Sequence, residues 1–308
     1  MNTLEKLRWT VLGFVIGFAS GSWRRVRSDI ATDGPHEVVP RVLSDEWGVI
    51  GQQHPGFVAV LSDLLLGLRG LVGRTVRTYT PADRLVFAIS QIAIEDFMQI
   101  LFLCVHGFGI GGLQILRSLY ERTVTMAYIS HNPDEADTFF AYHAINQRKV
   151  LNHAKQLGQL HSLGLSEENI KEIEEQYKIS KPNFEEILCK SCGTKRVRFS
   201  WSKLDLASMA RKADEGLRDL YATLYLYPTL HAHATVPSVL SRIEMTPAGH
   251  FKYNAEAQLE NVKASLIGGH NLILRVFERV NGHFSLGLDE ELAQRVVDFK
   301  KAWPEPTK

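Results

Sequence analysis

Residues 80–130 read "TPADRLVFAISQIAIEDFMQILFLCVHGFGIGGLQILRSLYERTVTMAYIS", and this stretch decides the fold. Thr80 followed by Pro81 is a helix-opening pair: a hydroxyl to cap the first free N–H groups and a ring already set for the first turn. The apolar residues then recur at helical spacing rather than alternating. The Gly-rich run "HGFGIGG" (106–112) closes the first helix and starts a second. So short a connection between two long apolar helices predicts an antiparallel helical hairpin at the core.

The same periodicity extends outward on both sides. In "FVAVLSDLLLGLRGLV" (57–72), Phe57, Val60, Leu61, Leu64 and Leu65 share a face. Downstream, Asn132 and Pro133 are expected to open a further helix, and "SEENIKEIEEQYK" (166–178), within the charged segment 166–186, to form a solvated one. Ser202 with Asp205 resembles a capping box for "KLDLASMARKA". "LRDLYATLYLY" (217–227) is expected to break at Pro228, and "EAQLENVKASLIGGHNLILRVFERV" (256–280) to form the last long helix. Only "TKRVRFSW" (194–201) alternates like a strand. The expected fold is all-α: a multi-helix bundle on an antiparallel hairpin core, with a small irregular or β-hairpin insertion near 188–201. The domain is placed at 51–285 with an insertion at 162–200, followed by a C-terminal helix and tail at 286–308.

The N-terminus differs in character. Residues 9–23, "WTVLGFVIGFASGSW", carry no charge and lie between Lys6/Arg8 and Arg24, Arg25 and Arg27. As a helix they would reach roughly 22 Å against a ~30 Å hydrocarbon core, a marginal span. Gly13, Gly17 and Gly21 line one face, which weakens a helix in water but suits close helix contact in a membrane. We expect an anchor-like helix at 1–27, a linker at 28–50, and the main domain on the cytoplasmic side of an inner membrane, because the arginines follow the segment. A cleaved leader and packing onto the domain are the alternatives.

Composition narrows function by exclusion. With 35 basic and 34 acidic side chains the net charge is +1, which gives no bulk attraction to nucleic acid. Three cysteines, at 104, 189 and 192, are no disulfide framework and suit a reducing compartment. Neither a P-loop, a dinucleotide fingerprint, a nucleophile elbow nor a zinc-protease motif is present. No cofactor is expected, and the residues alone do not decide whether the chain is an enzyme.

Some placements call for explanation. Arg117 and Glu121 share a face with Leu113, Leu116, Tyr120, Val124 and Tyr128, and Glu95 and Asp96 are embedded in the preceding apolar helix. Buried charges persist only when paired, so these four are expected to meet, either fixing helix register or forming a polar site. In "LHAH", His231 and His233 diverge by about 200° on a helix and cannot share a metal. Arg148 and His153 match the R-x4-H spacing of HEPN-type helical ribonucleases, although the residue after the arginine, Lys149, is not the small polar one usual there. Cys189 and Cys192 in "CKSCG" have the shape of half a zinc knuckle, for which a plain turn with free thiols, metal binding and redox use are the competing readings.

Arg117, Ser118 and Glu121 in "LRSLYERTVTMAYI", Tyr142 in "FAYHAI", Trp201 in "FSWSKL", and Tyr225 with His231 in "LYLYPTLHAHA" together resemble domain of unknown function 5677 over roughly residues 82–243. That resemblance implies a helical domain of a mainly bacterial family with recurring Arg, Glu and His and no settled activity. Pro228 and Thr229 depart from its pattern, and "CKSCG" looks like an insertion. Three functions remain open. One is a membrane-tethered binding or sensing domain whose Arg117, Glu121 and His231 meet an unknown ligand or protein. Another is a ribonuclease effector of stress or phage defence acting through Arg148 and His153, the one reading with a nucleic-acid partner. The third is a structural, oligomerising protein; a homodimer is compatible with each.

Overall fold

The computed structural model describes residues 48–72, 76–189, 191–245, 249–253 and 258–304. The anchor-like segment expected at 1–27 lies outside the described residues. A short helix α1 (Gly48–Gln53) leads into α2 (Pro55–Val72). The central hairpin follows as α3 (Pro81–Val105) and α4 (Gly109–His131), joined by three residues. Thr80 and Asp83 close a reciprocal capping box at the start of α3. This satisfies two backbone donors that would otherwise be free.

Next come α5 (Glu135–Gln156), a 3-10 turn (Leu160–Leu163) and α6 (Glu167–Ser180). A two-stranded antiparallel hairpin, β1 (Glu185–Ile187) with β2 (Lys195–Val197), interrupts the helices. Then follow α7 (Leu206–Ala213), α8 (Glu215–Asp219), a π-helical turn (Ala222–Leu226) running directly into α9 (Tyr227–Ala232), and α10 (Val236–Leu240). A second hairpin, β3 (Ile243–Met245) with β4 (Phe251–Tyr253), precedes the long α11 (Leu259–Phe284) and α12 (Asp289–Ala302). The all-α expectation holds, with the β structure confined to two small hairpins among the described residues.

The core is where α3, α4 and α11 meet. Val86, Phe97, Ile100, Leu116, Leu119, Val124, Leu272 and Phe277 are fully buried there. The "HGFGIGG" run gains its meaning from α11. A Cβ on Gly109 would sit 2.5 Å from the Val262 nitrogen, and one on Gly112 would sit 2.9 Å from the Ser265 hydroxyl. These glycines let the start of α4 touch the α11 backbone, and the Ser265 hydroxyl donates to the Gly109 carbonyl at 3.1 Å. The N-terminus of α4 is capped from outside, the Ile110 N–H donating to the Gln258 side chain at 3.1 Å.

On one side, α12 closes over α2. Trp303 stacks on Phe57 at 5.1 Å and donates from its indole nitrogen to Nδ1 of the buried His270 at 3.2 Å. On the other side lie α7, the π turn and α9, packed along α4. The α5–α6 pair forms a smaller cluster with the first hairpin around Tyr142, Ile145 and Phe184.

Three local expectations are corrected. Asn132 closes α4, its amide nitrogen donating back to the Tyr128 carbonyl at 2.9 Å, while α5 starts at Glu135. Asp205, and not Ser202, caps α7, accepting from the Ser208 N–H at 2.7 Å. Pro228 does not break its helix. Lacking an N–H, it would leave the Leu224 carbonyl unserved in an α-helix, and the chain widens instead: the Tyr227 N–H reaches back to the Ala222 carbonyl, a π-type bond.

By length and composition, α2 and α3 are each apolar enough to cross a membrane. More than half of α3 is buried inside the bundle, and its buried Asp96 forms an ion pair with Arg122.

Candidate functional site

The widened helix faces Arg117 of α4. Arg117 Nε donates to the Thr229 hydroxyl at 3.0 Å and its Nη2 to the Tyr225 hydroxyl at 3.4 Å, and the guanidinium lies 5.0 Å from the Tyr225 ring centre. Thr229 in turn donates to the Tyr225 carbonyl at 2.6 Å, which turns its lone pairs toward the arginine. One turn earlier on α4, Gln114 donates to the His231 carbonyl at 2.9 Å. His231 is 5% exposed, meets the Tyr227 ring edge-on at 4.9 Å, and has no hydrogen-bond partner for its buried Nδ1. Burial lowers its pKa and so favours the neutral ring. Beneath this group, Tyr221 stacks on Tyr225 at 5.2 Å, and Tyr120 anchors the floor by donating to the Leu217 carbonyl at 2.7 Å.

The single network expected from Arg117, Glu121, Glu95 and Asp96 does not form; the charges divide between two sides of α4. Asp96 pairs with Arg122, five residues beyond Arg117 and therefore about 140° around the helix. Burial raises the Asp96 pKa, with Arg122 opposing and Glu95 reinforcing. Glu121 is exposed and Glu95 is half-buried. Arg117, half-buried, pairs with no carboxylate among the described residues.

Arg148 and His153 have separate surroundings. The Arg148 guanidinium is held by Glu174 of α6 at 2.7 Å and lies over Tyr177, whereas His153 stands exposed on the surface of α5. Cys189 and Cys192 sit at the tip of the β1–β2 hairpin, where the Cys189 thiol is lowered to about 6 by hydrogen bonds from the Ser191 hydroxyl, from Cys192 and from the turn's backbone. No group of three or more metal-ligating side chains occurs among the described residues. Tyr142 donates to the Arg198 carbonyl at 3.0 Å and so ties α5 to the first hairpin, whereas Trp201, edge-on to Phe139 at 5.2 Å and 6.0 Å from the Tyr128 ring of α4, joins that lobe to the bundle.

One polar cluster had no signal in the sequence, because its members lie far apart along the chain. His283 Nε2 lies 3.0 Å from Asp83 Oδ1, and its Nδ1 lies 3.0 Å from the Ser130 hydroxyl, beside a shallow cleft lined also by Glu278, Arg279 and Gly282. Burial raises the Asp83 pKa, but the Thr80 N–H, His283 and the Tyr79 N–H outweigh it and the net shift is downward. Ser, His and Asp in a row suggest a hydrolase, yet Ser130 and His283 occupy the last turns of α4 and α11. Free groups there are carbonyls, opposite to the N–H donors a developing oxyanion needs. The cluster is a clasp joining the start of α3 to the ends of α4 and α11.

The fold and site thus define a helical bundle with a polar site between α4 and a π-widened helix. The sequence profile of a family of unknown function, DUF5677, matches residues 83–251, more than half of the chain, and the protein belongs to that family. Within the matched region Arg117 meets Tyr225, more than a hundred residues later, and Gln114 meets the His231 carbonyl. No curated protein and no solved structure matches the chain.

Proposed function

We propose that the protein is a membrane-tethered binding or sensing domain whose site, built by Arg117, Tyr225, Thr229 and His231, takes an anionic group. The observation that carries this reading is Arg117. Its guanidinium is half-buried yet satisfied only by two hydroxyls and a ring face, with donors to spare and no carboxylate partner among the described residues. A partly desolvated cation of that kind favours an incoming carboxylate or phosphate, which it grips with paired N–H donors. On the same short helix, His231 holds a buried Nδ1 that has no hydrogen-bond partner among the described residues. The π turn supports the reading as well, because such turns frequently mark functional sites. For location, the uncharged segment 9–23 supplies the tether, and the arginines behind it favour the cytoplasmic side of an inner membrane.

The test is thermal denaturation of the full-length protein in detergent at fixed ionic strength, with inorganic phosphate, pyrophosphate, acetate and nucleoside diphosphates as probes. A ligand at 100 times its Kd stabilises by about 2.7 kcal/mol. We expect at least one anion to raise the melting temperature, and Arg117→Ala and Thr229→Ala to abolish or weaken the rise. Absence of stabilisation by every probe, or equal stabilisation of Arg117→Ala, would refute the site.

A further inference from the structure

We propose that the Cys189–Cys192 hairpin tip is half of a zinc site, completed by the same tip of a second copy of this chain. The turn has the build of a metal knuckle. Leu188 N–H donates to the Thr194 carbonyl at 2.8 Å and Gly193 N–H to the Cys189 carbonyl at 3.0 Å, and Gly193 closes the turn at φ +70°, where a side chain would be strained. The hydroxyls of Ser191 and Thr194 each contact one sulfur, at 2.9 Å. Two thiols at the ends of one tight turn, each met by a hydroxyl that can donate to a thiolate, form a chelating pair.

A structural zinc takes four ligands in a tetrahedron, and this turn supplies two. No third ligand accompanies them among the described residues. The third cysteine, Cys104, is buried in the core and out of play. An identical turn related by a twofold axis supplies the missing pair, because in such an interface each copy presents the same surface to the other.

The neighbourhood suits a like partner. Ile187 and Leu188, just before Cys189, are 63% and 59% exposed, an apolar edge beside the knuckle that a second hairpin would cover. Of the flanking charges, Arg196 pairs with Glu186 at 2.7 Å, while Lys181 and Lys195 share the single carboxylate of Glu185 at 3.0 and 3.7 Å and Lys190 lies between the two cysteines in sequence, so a positive excess remains. Four thiolates around one zinc ion carry a net negative charge, which the excess from two hairpins offsets. The hairpin lies outside the main core, and the site is independent of the Arg117 group.

The experiment uses full-length protein in detergent with a phosphine reductant, so that disulfides do not form. Zinc content, native mass, and the visible spectrum after Co(II) replacement are measured for wild type, Cys189→Ser and Cys192→Ser. We expect about one zinc per two chains, Co(II) bands of a tetrahedral four-thiolate centre, and a twofold drop in mass on chelation. Each serine variant should lose all three signatures while keeping the wild-type far-UV circular dichroism. One zinc per monomer, a metal-free protein after zinc addition, a dimer that survives chelation or either serine variant, or a dimer that forms only without reductant would each overturn the proposal.

Discussion

Replacing Gly109 with Ala places a methyl group against the backbone of α11. The new Cβ would lie 2.5 Å from the Val262 nitrogen, 2.6 Å from the Gln258 carbonyl oxygen and 2.7 Å from the Asn261 Cβ. Ordinary contact begins near 3.4 Å, so α4 and α11 must part by roughly 0.8 Å at this crossing. Two of the three obstacles are main-chain atoms that cannot swing aside. Overpacking of this kind costs about 1–3 kcal/mol, and the upper end applies here. Alanine's better helix propensity offsets about 0.5–1 kcal/mol, leaving a net loss of about 2 kcal/mol. For a domain of this size that is a fall of about 4–8 °C in melting temperature. Gly111, two residues on, is the control: its added Cβ would make ordinary contacts with side chains alone, Leu103 at 3.4 and 3.5 Å and the Phe108 Cβ at 3.7 Å. Gly111→Ala should therefore leave stability unchanged or raise it by about 0.5–1 kcal/mol. Thermal and urea denaturation of the three proteins, followed by far-UV circular dichroism, measures the difference. If Gly109→Ala melts within about 1 °C of wild type, or if both variants fall together, the close approach of α4 and α11 does not shape the core as described.

Acid should weaken the fold through His270, which is 1% exposed and whose pKa burial lowers from 6.5 to about 4, the Asp298 carboxylate opposing. Because the folded ring resists a proton that the unfolded ring accepts, its contribution is complete above about pH 6.5 and is lost as pH falls toward 4. The full span is about 3 kcal/mol. The difference between wild-type and His270→Gln stability curves should show that loss, and parallel curves would contradict it. Arg122→Ala strands the buried Asp96 carboxylate and should cost about 2–3 kcal/mol at pH 7. Asp96→Asn leaves only the more exposed Arg122 unpaired and should cost clearly less. Urea titrations of the two variants decide the order. The Asp96 pKa is raised, so the Arg122→Ala deficit should shrink as pH falls through it; a deficit constant from pH 7 to pH 4 would argue against the pairing.

The helical class was legible because α3 and α4 carry it in local pattern, and Thr80–Pro81 marks a start that local sequence alone determines. The misread boundaries share a cause: Asn132 and Ser202 are residues that cap either end of a helix or a turn, and only the surrounding backbone decides which. Pro228 was misread because a π turn depends on where the displaced carbonyl finds its donor. At the site, Arg117, Tyr225 and His231 could be singled out as polar groups in apolar or patterned surroundings. The contact of Arg117 with Tyr225, and that of Gln114 with the His231 carbonyl, could not, since both depend on the rotation of α4 against a helix about a hundred residues later. The same rotation assigned Asp96 to Arg122. The Asp83–Ser130–His283 clasp joins residues from three separate helices and leaves no mark in any local window.

The π turn carries one residue more than an ordinary helix of the same reach, so it absorbs that residue without turning α9 away from α4. Removing a residue outside the site, such as Thr223, while the segment closes to α geometry would leave α9 nearly in place, because the wide turn and the narrow one span almost the same arc and rise. What changes is Pro228. In the narrow turn its ring faces the carbonyl four residues back, the clash and the unserved acceptor that the wide turn avoids. The extra residue thus relieves the proline locally, and the contacts of Thr229 with Arg117 and of the His231 carbonyl with Gln114 stand undisturbed beside it.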